Sequence, residues 1–201
     1  MEDMSIFEAI ISQRAIRRFA DDVVPDEAIK KIINAATRAP SAGNRQPWHF
    51  LVIRDPQVKK RIGEIYWEAT EELRARGLSK ENATFQRTGW DMAEHIGETP
   101  VLILVCMDTG GKESFALGAS IFPAIQNLLL AARAIGLGSC YTSNIRQRED
   151  KIKELMGIPD GVIVAGLLPI GYPGFKEHFG GSLRKPAEEV IFYDHWGQRN
   201  Y

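Results

Sequence analysis

The chain is poor in cysteine, with two thiols, Cys106 and Cys140, in 201 residues. Both stand among apolar or small residues and form no Cys-x-x-Cys pair, so neither a disulfide framework nor a thiolate zinc site is supported. Histidine is scarce too, and His49, His95, His178 and His195 show no metal-ligand spacing, so no metal is expected. An excess of one charge is also missing. The 25 basic and 26 acidic residues leave a formal net charge of −1, and no broad cationic field exists to hold nucleic acid or an anionic membrane. The ligand is therefore expected to be small. Residues 1–11 carry acids where a leader would carry bases, and no apolar run approaches the roughly 20 residues of a membrane-spanning helix. These absences together lead us to expect a soluble, unprocessed protein in a reducing, cytoplasmic setting.

What is present suits one globular domain over residues 1–201, because 44% hydrophobic residues in a chain of this length supply a sizeable core. Ser5 followed by Glu8 has capping-box spacing, and Ile6, Ile10 and Ile11 give a short first helix fading near Gln13. Pro25 and Asp26 open a second helix with Ile29, Ile32, Ile33 and Ala36 on one face, stopped by Pro40. Residues 48–53 read as a buried strand ending at Asp55-Pro56. A long helix follows with Val58, Ile62, Ile65, Tyr66, Ala69 and Leu73 inward, and Lys59, Lys60, Glu64, Glu71 and Glu72 toward water. The pattern weakens over 76–99, which suits a lid or a surface excursion equally.

Further along, 101–107 is a second buried strand and 115–134 the most apolar helix, as expected of a central or interface element. A short strand over 136–142, a polar helix over 148–156 and a long apolar strand over 162–170 come next. The tail to residue 201 contains a β-like run, 190–193, whose apolar side chains need a surface to cover. There is no internal repeat. This order suits an α+β or an α/β sheet packed against helices.

Four clusters are candidates for chemistry. Arg14, Arg17 and Arg18 follow the first helix; Arg14 and Arg17 are able to grip one dianionic phosphate bidentately, although three arginines in five residues also describe an ordinary solvated turn. Pro40-Ser41-Ala42-Gly43-Asn44-Arg45-Gln46-Pro47 is a loop fixed by two prolines. It leaves Ser41, Asn44 and Gln46 to meet the edge of a planar ring or to satisfy the turn itself. Gly136-Leu137-Gly138-Ser139-Cys140-Tyr141-Thr142 imitates a dinucleotide fingerprint, but Tyr141 replaces the third glycine and the loop runs from helix to strand. Gly110-Gly111-Lys112 likewise lacks half a Walker loop. Arg184-Lys185-Pro186 is basic and either returns to the first cluster or forms an exposed turn. No acid, base or nucleophile stands out, Ser139 lies in no nucleophile elbow, and a bound cofactor is expected to carry the chemistry.

Taken together, the clusters resemble the FMN-dependent nitroreductase family, in order and at similar spacing over nearly the whole chain. The resemblance rests on Arg14-Ala15-Ile16-Arg17-Arg18-Phe19, the 39–48 loop, Gln126-Asn127-Leu128, Gly136-Leu137-Gly138-Ser139-Cys140, Gly171-Tyr172-Pro173, and Arg184-Lys185-Pro186 leading to Glu188-Glu189-Val190. It implies an α+β fold with a mixed, mainly antiparallel sheet between helices, in an intertwined homodimer whose flavin draws contacts from both subunits. Residues 174–201 would then be an arm on the partner. Arg14, Ala15 and Arg17, with Arg184 or Lys185, would hold the FMN phosphate. Pro40, Ser41, Asn44 and Gln46 would meet ribityl and ring atoms, and Gly138, Ser139, Tyr141 and Thr142 would lie near the ring. The family often has serine where this chain has Ala15, which removes one phosphate contact. The implied reaction is ping-pong transfer of two electrons from NAD(P)H to a nitro, quinone or similar electron-poor small molecule. Relatives of the scaffold that dehalogenate or break down flavin define the alternative activity. A non-enzymatic flavin-binding protein is the alternative outside catalysis.

Overall fold

The computed structural model describes residues 4–77, 83–109 and 115–199. The Gly110-Gly111-Lys112 stretch and the ends of the chain lie outside them. Six α-helices, α1 (Ile6–Ser12), α2 (Asp26–Ala36), α3 (Pro56–Ala75), α4 (Ala83–His95), α5 (Phe115–Ala134) and α6 (Glu149–Met156), enclose four strands among the described residues. The strands are β1 (Trp48–Ile53), β2 (Val101–Asp108), β3 (Gly138–Ser139) and β4 (Val162–Gly171). Their order across the sheet is β1-β2-β4-β3, and every ladder is antiparallel. One parallel bridge, Ala15 to Ser139, lies outside the named strands.

The sheet is covered on both faces, and period-two alternation divides its side chains between them. From β2, Val101, Ile103, Val105 and Met107 pack toward Ile29 and Ile32 of α2 and Ile121, Ile125 and Leu128 of α5. The alternate residues Leu102, Leu104 and Cys106 join Ile62, Ile65 and Tyr66 of α3, Met92 and Ala93 of α4 and Ile152 of α6. Double coverage is why β2 reads as an unbroken apolar run. Its pairing with β4 shifts at Val105/Cys106, where Val105 faces Gly166 and Cys106 faces Val164. Ala165 is left as the extra residue of a β-bulge.

Several expectations require correction. Lys59 does not face water: it is 9% exposed, and its ammonium donates to the Thr99 and Pro100 carbonyls at 2.7 and 3.3 Å. Burial lowers its pKa, with Arg54 adding to the effect, and the carbonyls of the turn after α4 supply the partners a buried cation requires. Helix α2 ends at Ala36, before Pro40 is reached. Strand β1 is the sheet edge, so Trp48 and Ile53 are buried while His49 and Val52 are exposed. The expected strand over 136–142 contracts to Gly138–Ser139, and 190–193 forms no strand, following instead a 3-10 turn over Ala187–Glu189. Within 76–99, α4 is followed by a 3-10 turn, Ile96–Glu98. Leu117–Ala134 of α5 is long and apolar enough to cross a membrane by length and composition, which corrects the expectation that no such run exists.

The first helix forms where expected, with the Ser5 Oγ accepting from the Glu8 amide at 3.1 Å. Its apolar stripe, however, points outward: Ile6, Phe7, Ile10 and Ile11 are all exposed. Leu183, Val190 and Trp196 of the tail are exposed as well, and Phe122 of α5 is half-exposed.

Candidate functional site

The site begins with an extended segment, 13–20, laid along the edge of the sheet. The Ile16 amide donates to the Ser139 carbonyl at 3.0 Å and the Ala20 amide to the Tyr172 carbonyl at 3.0 Å. Ile16 itself is fully buried, with its side chain against Gly138. That inward anchor leaves the arginines on either side of it at the surface. The chain after β4 then crosses the same segment: Gly174 donates to the Arg18 carbonyl and Gly180 to the Ser12 carbonyl. The Glu177 Oε1 accepts from the Arg17 and Arg18 amides at 3.2 and 3.1 Å.

These crossings create a cavity of about 390 Å³ lined by Arg14, Ala15 and Arg17 from one segment, Cys140 and Tyr141 from another and Arg184 from the tail, together with Gln13, Leu129 and Ser182. Three arginines line it and, among the described residues, no carboxylate does, in a chain whose formal net charge is −1. Such concentration in one concavity focuses a positive potential on an anion. Arg18 goes the other way. Its Nε donates to Asp91 Oδ2 at 2.6 Å and its Nη2 pairs with Oδ1, and the Asp91 hydrogen bond and charge hold the guanidinium more firmly protonated than usual.

Tyr141, one of the lining residues, is tied to the bulge in β4. The Tyr141 hydroxyl donates to the Ala165 carbonyl at 2.9 Å, and the Tyr141 ring lies so close over Gly166 that a Cβ there would come within 2.4 Å of Cε2. Thr142 exchanges both backbone hydrogen bonds with Leu167. Its hydroxyl is buried 2.7 Å from that of Tyr66. Gly138 and Ser139 are buried in β3. Gly138, Ser139 and Thr142 are buried and do not line the cavity, whereas Cys140 and Tyr141 do. Burial raises the Cys140 thiol and the Tyr141 phenol above their ordinary pKa values.

The proline-bounded loop lies elsewhere on the molecule. Its 3-10 turn, Ala42–Asn44, is followed by Arg45, and both Asn44 (φ 52°) and Gln46 (φ 49°) occupy the left-handed region. Two non-glycine residues in that region mark stored strain of the kind found at binding sites. Ser41 Oγ accepts from the Gln46 amide at 3.0 Å, the Gln46 side-chain amide reaches Asn44 Oδ1 at 3.2 Å, and Ala42 donates to Ser120 Oγ. Pro40, Asn44 and Gln46 are exposed. Ser120 precedes the cavity residue Leu129 by nine positions on α5, about 13 Å along the helix axis. None of the loop lines the arginine cavity of its own chain, and neither does Lys185, which is exposed on the tail.

A larger concavity, about 880 Å³, runs between α3 and α4 and includes Trp67, Lys60, Glu64, Glu68, Glu94 and Glu98. Its acid excess opposes an anion, so volume alone does not locate the site. Gln13, Leu129 and Ser182 are cavity residues that the sequence did not single out. Only the position of Gln13 beside Arg14 offered a signal.

Comparison with known proteins agrees with this architecture. The family model described as the Nitroreductase family matches residues 10–172. A provisionally named NADH dehydrogenase/NAD(P)H nitroreductase of Archaeoglobus fulgidus is 33% identical, over 93% of this chain and 96% of that protein. Iodotyrosine deiodinase 1 of Rattus norvegicus is 31% identical, over 95% of this chain and 70% of that one. The solved structure of a provisionally named nitroreductase in complex with FMN, from Desulfovibrio desulfuricans, superposes with a TM-score of 0.71 at 26% identity, covering 96% of this chain and 99% of that one. The chain belongs to the nitroreductase family, and its fold is the α+β fold of that family.

Proposed function

We propose that the protein is an FMN-dependent oxidoreductase acting as a homodimer, and that it passes two electrons from NAD(P)H to a small electron-poor acceptor such as a nitro compound or a quinone. The observation that carries this reading is that Arg14, Arg17 and Arg184 line one cavity that, among the described residues, no carboxylate lines. A phosphate monoester is close to dianionic at neutral pH, and guanidinium forks match its oxygens while remaining charged. The residues fit the cofactor in a second respect, because an apolar and aromatic surface, Leu129, Cys140 and Tyr141, continues from the arginines. When bound, FMN supplies the hydride-accepting and two-electron-donating chemistry.

The chain supplies binding, orientation and exclusion of water. Arg14, Arg17 and Arg184 hold the phosphate, with Lys185 adding positive potential beside them. Tyr141 borders the cofactor, its ring oriented by the hydroxyl's hydrogen bond to the Ala165 carbonyl, while buried Gly138, Ser139 and Thr142 hold the segment that carries it. Pro40, Ser41, Asn44 and Gln46 act on the site of a second copy, which accounts for a strained polar loop that does not reach the cavity of its own chain. The exposed apolar side chains of α1 and of the tail from residue 174 onward bury themselves in the same dimer. The similarity to a deiodinase favours a second reading of the acceptor. There, two electrons and a proton replace a carbon–halogen bond of a halogenated phenol by carbon–hydrogen and release halide.

Steady-state NAD(P)H oxidation by flavin-loaded protein, with nitroaromatics, quinones and halogenated phenols in turn, separates the readings. Turnover of the first two supports the reductase, and halide release supports the dehalogenase. Inactivity toward all three would contradict an enzymatic role and leave a flavin-binding protein.

A further inference from the structure

The segment immediately after β4 carries two adjacent polar residues, Glu177 and His178, aimed back at the arginine segment. Glu177 fixes the backbone of Arg17 through its amide, as described above. His178 fixes the side chain of Arg14: its Nε2 lies 2.9 Å from Arg14 Nη1, and the same Nη1 donates to the Gly180 carbonyl at 3.0 Å. A guanidinium has no acceptor, so the first contact is a hydrogen bond only if the imidazole Nε2 is bare and Nδ1 carries the proton. Both hydrogens of Nη1 are then engaged by the tail. The Nε hydrogen and the two on Nη2 are left to serve an anion in the cavity that Arg14 lines.

The contact is held from outside as well. Gly180 and Gly181 both have left-handed backbone, φ 75° and 73°, a conformation natural to glycine, and this turn carries the chain from His178 to Ser182 and Arg184 at the cavity. Between them and His178, Phe179 packs under the Arg133 guanidinium at 4.2 Å, and Arg133 Nε donates to Ser12 Oγ at 2.8 Å. His178 therefore belongs to a braced strap, and Arg14 is set against that strap.

We infer that His178 is a positioning residue that turns Arg14 toward the anion cavity, so that the FMN phosphate meets a guanidinium already oriented. The inference rests on the phosphate reading of the cavity given above. Its physical basis is preorganisation. An arginine held by the Gly180 carbonyl alone regains side-chain freedom that binding must then remove, whereas two bonds to one nitrogen define the plane of the fork.

The test titrates the full-length apoprotein with FMN and with riboflavin, which lacks the phosphate, and follows flavin fluorescence in the native protein and in His178→Leu and His178→Gln. Glutamine offers a carbonyl oxygen in place of the imidazole nitrogen. His178→Leu is expected to weaken FMN about tenfold and to leave riboflavin affinity and the melting temperature unchanged. His178→Gln is expected to restore FMN affinity to within about threefold of the native value. Unchanged FMN affinity in His178→Leu, equal losses for FMN and riboflavin, or failure of glutamine to rescue would each overturn the positioning role. Native protein that holds FMN no better than riboflavin would overturn the phosphate reading itself, and this inference with it.

Discussion

Arg14 and Arg18 stand four positions apart in one basic cluster and have opposite fates. Arg18 spends its fork on Asp91 and ties the segment to α4; Arg14 is turned by the tail toward a cavity it shares with Arg17 and Arg184. Sequence composition does not distinguish such neighbours, because the distinction lies in which distant residue each side chain meets. Arg14→Ala is expected to weaken FMN by roughly 30- to 100-fold with only a small fall in melting temperature, since it removes charge-assisted bonds to the phosphate and two bonds to the tail but no core contact. Equilibrium titration with FMN, beside a thermal melt, checks both halves of that expectation. Ala15 lines the same cavity, and Ala15→Ser is expected to tighten FMN by about 1 to 3 kcal/mol by adding a hydroxyl donor to a charged acceptor. Looser binding in that variant would mean that the phosphate lies away from residue 15. The thiols behave differently. Burial pushes Cys106 up to about 12 and Cys140 also upward, so neither is expected to react with a disulfide reagent at pH 8 until the protein is unfolded.

At the scale of elements, the elements set by local signals were legible in the sequence. Helix α1 begins at the expected cap, Ser5, α3 follows the Asp55-Pro56 pair expected to end the strand, with Asp55 as its cap, and β1, β2 and β4 fall on the expected apolar runs. The errors are tertiary in origin. Lys59 sits on the face its helical phase assigns to water, but the turn after α4 closes over it and offers two carbonyls. Residues 190–193 have strand-like composition but pair with no strand among the described residues: Val190 closes the turn after Ala187–Glu189 and 191–193 run on without regular structure. Of the site, the basic segment, the strained loop and the 138–142 stretch could be picked out by residue type, while the return of Arg184 to Arg14 across 170 positions stood as one of two alternatives on charge alone and was favoured only by the family resemblance.

The β4 bulge shows what holds Tyr141, a residue that lines the cavity. Gly166→Ala is expected to push the Tyr141 ring from its seat and cost about 1 to 3 kcal/mol of stability, the range for overpacking, read as a drop in denaturant midpoint. Beneath it, burial pushes the Tyr66 phenol up to about 12 against an ordinary value near 10. A raised folded-state value means that this contribution to stability is complete below about pH 10 and is lost as pH rises through about 12. Tyr66→Phe, which has no such group to ionise, is expected to lose less stability than the native protein between pH 9 and pH 11.5.

For the whole molecule, the central fact is an apolar surface without cover. Phe7 is 74% exposed, Leu183 95% and Trp196 92%, while the core on both faces of the sheet is closed. Scattered exposed apolar residues are ordinary; a helix that presents its entire apolar stripe is not. The proposed homodimer, in which α1 and the tail would pack on the partner, would cover that surface and would also give a role to a polar loop that lies away from its own chain's arginines.

The shared site is tested most directly by mixing two defective chains. Protein carrying Arg14→Ala and protein carrying Ser41→Ala with Asn44→Ala are each expected to hold FMN weakly. If each site joins the arginines of one subunit to the loop of the other, a purified mixed dimer contains one wholly native site and one doubly altered site. Flavin titration of that mixed dimer should then find one tightly bound FMN per dimer. A mixed dimer with no tight site would place arginines and loop in the same subunit and contradict the account.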